Sequence, residues 1–138
     1  MVAEEICAQE SAAPLTVLIV EDNQDILDML RMSLKTWMDM RIFSARDGAM
    51  ACRVAQREMP DLILMDIAMP YVDGLEATRQ LKADPSTRHI PIIAMSNYFN
   101  GSGWQNKALE AGCVASVDKS APIEAWQPLI KSALRIDD

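Results

Sequence analysis

The sequence is poor in the features that would commit it to several large classes of function. Its three cysteines, Cys7, Cys52 and Cys113, are odd in number, widely spaced and free of any CxxC pair, so neither a disulfide framework nor a zinc site is indicated. Such usage fits a reducing, cytoplasmic compartment. Positive charge is scarce: 13 Lys and Arg stand against 20 Asp and Glu, a formal net charge of −7. That balance argues against nucleic acid or an anionic membrane as the main partner, although it leaves room for a small anion bound locally. No run approaches the roughly 18 apolar residues of a membrane span. The opening residues, MVAEEICAQESAAP, carry three glutamates and lack the basic start and apolar stretch of a signal peptide. Residues 1–14 are read as a flexible N-terminal tail.

What remains is ample for one domain: 138 residues, half of them hydrophobic. Short apolar runs alternate with helical patterns. Strands are expected at TVLIV (16–20), RIFSA (41–45), LILMD (62–66), IPIIAMS (90–96) and, more weakly, CVASVD (113–118). Between and after them, helical spacing is expected over 25–38 with Asn23 as cap, then 48–59, 74–83, 104–111 and 123–134. Five such units predict an α/β fold, a parallel sheet covered on both faces by right-handed crossovers.

That pattern gives the stretch DLILMDIAMPYVDG, whose closing Gly74 reads as an ordinary turn glycine, its meaning. Leu62 to Met65 is too short and too apolar for anything but a strand buried on both faces, and Asp66 sits at its carboxyl end. In open parallel sheets ligands bind just outside that end of the strands. Strand one ends in Glu21 and Asp22 at the same edge, so three carboxylates crowd together; Ser96 ends strand four and Lys119 follows strand five. Taken singly, each is an ordinary cap, turn or surface residue. Together, three mutually repelling carboxylates call for a cation, and an all-oxygen cluster suits Mg²⁺. A lysine and a hydroxyl facing that cluster would supply what the equatorial oxygens of a phosphoryl group need.

VLIVEDN, DLILMDIAMPYVDG, IPIIAMS, ALEAG and VDK, in that order, closely resemble the receiver domain of two-component response regulators, of the single-domain chemotaxis-receiver type. The resemblance covers about residues 15 to 136 and implies a flavodoxin-like (βα)5 three-layer sandwich with strand order 2-1-3-4-5. It implies that Asp66 is the phosphoacceptor, Asp22 a direct Mg²⁺ ligand, Glu21 a ligand through water, and Ala68 a ligand through its backbone carbonyl. Ser96 and Lys119 would hold the phosphoryl oxygens. The implied partners are a sensor histidine kinase, then a histidine phosphotransfer protein or a downstream effector protein. The implied chemistry is confined to the chain's own phosphorylation and dephosphorylation, with no separate substrate. Only RIDD follows the last helix, so no effector domain is expected in this chain.

Four features depart from the family pattern. Ser116 stands where an aromatic switch residue is usual. Ser120 replaces the proline that follows the lysine, and a cis bond there without proline would cost about 3 to 4 kcal/mol, which points to a trans peptide and a shifted Lys119. Gly101 and Gly103 should fray or delay the fourth helix, and Pro128 predicts a kink or late start in the fifth. Ser116 and Ser120 also favour an alternative, a degenerate receiver that binds partners without being phosphorylated. A second alternative, an Asp-nucleophile phosphatase of the haloacid-dehalogenase kind, is disfavoured because Ala68 occupies the position where that pattern has a second acid.

Overall fold

The computed structural model describes residues 14–67, 74–96 and 103–135. Five parallel strands, β1 (Leu15–Val20), β2 (Met40–Ala45), β3 (Leu62–Asp66), β4 (Ile92–Ser96) and β5 (Ala115–Asp118), form one sheet in the order β2-β1-β3-β4-β5. The helices are α1 (Gln24–Trp37), α2 (Gly48–Glu58), α3 (Gly74–Ala83), α4 (Trp104–Ala111) and α5 (Ile123–Leu134).

Strand periodicity divides the core in two. Leu18, Val20, Ile63 and Met65 point to one face, where α2, α3 and α4 contribute Val54, Ala77, Leu81 and Trp104. Val17, Ile19, Leu62 and Leu64 point to the other, against Leu30 and Leu34 of α1 and Trp126 and Ile130 of α5. Every residue of β3 and β4 is buried. Only a strand covered on both faces needs so unbroken an apolar run.

Helix starts follow local chemistry. The Asn23 side chain accepts from the backbone N–H groups of Asp25 and Ile26, and the Asp47 side chain from that of Met50, so both helices have side-chain caps. α4 begins only at Trp104, after Gly103 in the left-handed region at φ 79°, and has no side-chain cap. The delayed start expected from the glycines is therefore present.

Two boundaries differ from expectation by more than one residue. β4 starts at Ile92, not at 90, because Ile90 N–H closes a turn onto the Thr87 carbonyl and the Ile90 carbonyl accepts from Lys82 Nζ at 2.6 Å. β5 starts at Ala115, not at 113, because the Cys113 N–H is spent on the Ala108 carbonyl at the end of α4. The late start for α5 does not occur. Its first turn is closed by Ala125 N–H on the Pro122 carbonyl, upstream of Pro128, and Trp126 Nε1 donates to the Ala121 carbonyl. No described peptide bond is cis, the Lys119–Ser120 bond included. The expected N-terminal tail up to residue 13, the turn at 68–73, the loop at 97–102 and residue 136 lie outside the described residues.

Candidate functional site

Register alone brings the expected residues to one edge. Val20 pairs with Met65, Asp66 with Met95 and Ser96 with Asp118, so Glu21, Asp66, Ser96 and Lys119 follow one another across the carboxyl ends of β1, β3, β4 and β5. The ladder continues past the strands through Ile67 N–H to the Met95 carbonyl and Lys119 N–H to the Ser96 carbonyl, at 3.1 and 2.9 Å. These bonds hold the lysine's backbone against the end of β4. Its reach into the site therefore needs no proline at position 120.

Glu21, Asp66 and Ser96 are almost wholly buried, whereas Asp22 is exposed. Lys119 Nζ lies 2.8 Å from Glu21 Oε1 and 2.8 Å from Asp66 Oδ2, one ammonium between two carboxylates. The Glu21 carboxylate is further fixed by the backbone N–H of Asn23, which donates to Oε2 at 3.1 Å. The residue that caps α1 through its side chain thus orients an acid of the site through its main chain. Nothing in the sequence pattern announced that second role.

Burial is the first cause of the raised pKa of Glu21; the bond to Lys119 opposes it and the Asp66 charge reinforces it. Burial pulls Lys119 down, but its bonds to Asp66 and Glu21 and their charges more than reverse this, and its pKa ends raised. Beyond burial, the shared ammonium acts on both groups. A single ammonium is well satisfied by two carboxylates, while each carboxylate must share it with a like-charged neighbour.

One carboxylate oxygen from each of Glu21, Asp22 and Asp66 lies within 4.8 Å of the others. Three carboxylates against Lys119 leave the cluster with two uncompensated negative charges, which matches one divalent ion. All three donors are hard oxygens, one of them exposed to keep water in reach, which is the set Mg²⁺ prefers. The residues present therefore fit that metal. Ala68, the expected carbonyl ligand, lies outside the described residues.

Gly74 contributes in a way the sequence reading missed, having been taken for a turn glycine. A Cβ there would run into the Asp66 carbonyl oxygen and stand 2.5 Å from Ile67 Cα. The start of α3 thus rests directly on the peptide that carries Asp66, and only glycine permits that approach.

A parallel sheet of this order with an acid cluster and a lysine at its switch point defines a class, and the comparisons identify the family. The family model for the response regulator receiver domain matches residues 17–131. The chain belongs to that family. It is 37% identical over 121 residues to the polar-differentiation response regulator DivK of Brucella anthropi, covering 88% of this chain and 97% of that protein. It is similar to the receiver domain of a sensor histidine kinase from Pseudomonas aeruginosa solved with a magnesium ion coordinated in its active-site cleft. The TM-score is 0.81 at 29% identity, with 89% of this chain and 99% of that one covered. The beryllofluoride-activated receiver domain of Klebsiella pneumoniae RstA superposes with a TM-score of 0.78 at 26% identity, over 87% and 98% of the two chains. The fold is accordingly flavodoxin-like, and the chain is a two-component signalling domain. No described helix is long and apolar enough to cross a membrane.

Proposed function

We propose that this receiver takes a phosphoryl group from the histidine of a sensor kinase onto Asp66 and passes the signal on through a change of surface conformation. The observation that carries the reading is Asp66 itself, buried at the end of β3 and joined through Lys119 to Glu21, with Asp22 beside them. A carboxylate so placed is rigidly presented yet lies at the sheet edge where a ligand can approach.

Asp66 attacks the phosphorus as the bond to the kinase nitrogen breaks. Lys119, already on Asp66 Oδ2, follows the negative charge as it spreads onto the phosphoryl oxygens, and Ser96, one step along the edge, donates its hydroxyl to another of them. Mg²⁺, held by Asp22 and Asp66, by Glu21 through water and by the Ala68 carbonyl, would neutralise charge on the phosphoryl group and align it. Glu21, fixed by the Asn23 N–H, helps hold the Lys119 ammonium beside Asp66. The same residues serve the slower return of phosphate to water. The product adds charge and acceptor oxygens beside Ser96 and so biases the adjoining loop. The setting is cytoplasmic, and the recipient of the signal is a histidine phosphotransfer protein or an effector protein. Residues 15–136 make up the receiver and those before it a tail.

Incubation with acetyl phosphate and Mg²⁺, followed by intact mass, tests the reading. One stable phosphoryl adduct is expected on the wild-type chain and none on Asp66→Asn. Asp22→Ala should be labelled at least about tenfold more slowly and require more Mg²⁺. Labelling of Asp66→Asn at the wild-type level would remove the proposal. A wild-type chain that takes up no phosphate would favour the degenerate-receiver alternative.

A further inference from the structure

The opposite edge of the sheet holds a second polar concentration of the other sign. At the amino-terminal ends of β4 and β5, a groove of about 740 Å³ opens between the C-terminal half of α5, the end of α3 and the 84–91 turn, lined by Lys82, Arg88, His89 and Arg135. Among the described residues, no carboxylate lines it. None of those three cations forms an ion pair among the described residues, although acids outnumber bases in the chain by 20 to 13.

Lys82 shows how unusual the setting is. It is half-buried, packs its stem on Gly112, and donates from Nζ to the carbonyls of Arg88 and Ile90 at 2.9 and 2.6 Å. Two of three ammonium protons are thereby spent on neutral acceptors, and among the described residues no carboxylate pairs with the charge. The ends of α3 and α5 account for part of this, since cations at helix C-termini are favourable. They do not account for Arg88, which belongs to the turn and not to a helix end, nor for the convergence of all three on one concavity. The remaining wall is apolar, with Pro91, Val114 and Leu129, and Val114 is 54% exposed.

We propose that this groove is a binding site for a small organic phosphate, its phosphoryl oxygens held by Arg88, Arg135 and Lys82 and its apolar body laid on Val114 and Leu129. Guanidinium forks match phosphate oxygens in pairs, and His89 and Ser132 add further hydrogen-bonding groups to the same lining. The volume falls in the usual range for small-molecule sites. Charges gathered in one concavity of that size suit a compact anion better than an extended acidic peptide, which would need a stripe. The site is separate from Asp66, at the other end of the strands, and does not depend on phosphoryl transfer there.

His89 is the only histidine in the chain, so its ring signals give an unambiguous local reporter. Titration with adenosine diphosphate, followed by proton NMR of His89 and by calorimetry, should give saturable shifts and one site. Inorganic phosphate should bind the same site more weakly, and a short polyglutamate peptide should not compete. Arg88→Gln and Arg135→Gln, both at exposed positions, should each weaken binding about tenfold, whereas Asp66→Asn should leave it unchanged. Circular dichroism confirms that each variant is folded. Absence of saturable shifts with either phosphate probe, affinity indifferent to both arginines, or tighter binding of the peptide than of the diphosphate would each overturn the assignment.

Discussion

At the scale of single residues, Lys119 sets its one positive charge between two acids. Its side chain is 8% exposed and touches two buried carboxylates, so Lys119→Met leaves Glu21 and Asp66 facing each other without a counter-charge. We expect a loss of about 3 kcal/mol in urea unfolding at neutral pH, partly recovered by Mg²⁺. An unchanged midpoint would show that the ammonium is not what holds the acids together. Glu21 has the opposite sign. Its raised pKa means that the folded protein holds that proton more tightly than the unfolded chain, so the ionised carboxylate costs stability as pH rises from 4.5 through the folded value. Glu21→Gln should therefore be the more stable protein at pH 7, with the advantage vanishing below pH 4.5, while its Mg²⁺ affinity falls. Melting curves across that range check the sign.

At the scale of elements, the α3 start and the α4 start bear on the site from either side. Gly74→Ala puts a methyl group against the Asp66 peptide, where backbone and not a flexible side chain must yield. A destabilisation of about 2 kcal/mol is expected, together with slower phosphorylation, because the displaced peptide carries the acceptor. A variant with wild-type rates would mean that α3 can shift without moving Asp66. Trp104 opens α4 with its ring buried and its Nε1 without a hydrogen-bond partner among the described residues, a cost that a rearrangement could relieve. With Ser116 in place of the usual aromatic, we expect Trp104 to report activation. In a chain with Trp37→Phe and Trp126→Phe, beryllofluoride and Mg²⁺ should change its emission, and Ser96→Ala should abolish the change. Constant emission in protein that binds the mimic would move the signal path elsewhere. What was legible here was periodicity: α4 and α5 begin and end where the spacing put them, and Asn23 caps α1. What was not legible was contact between distant segments. Gly74 reads as a turn glycine because the clash that requires it lies with residues 66 and 67, and Pro128 reads as a barrier because the bond closing the first turn of α5 is invisible in composition.

At the scale of the whole molecule, the two edges of the sheet carry opposite charge. The carboxyl edge gathers Glu21, Asp22 and Asp66, and the amino edge gathers Lys82, Arg88 and Arg135. The first concentration was readable because acids at strand ends converge in any parallel sheet of this order. The second was not, since its members come from a helix end, a turn and a helix cap with no shared spacing. Lys119 lies against Glu21 and Asp66 despite Ser120, because the ladder bond to Ser96 fixes its backbone. The central claim is that one buried carboxylate on this scaffold is the acceptor, and localisation of the phosphoryl group tests it most directly. Phosphorylated protein is treated with borohydride, which reduces an acyl phosphate to the alcohol, and then digested and sequenced by mass spectrometry. The account predicts homoserine at position 66 and nowhere else, formed only when Mg²⁺ was present; homoserine at another aspartate, or full labelling with Asp66 intact, would contradict it.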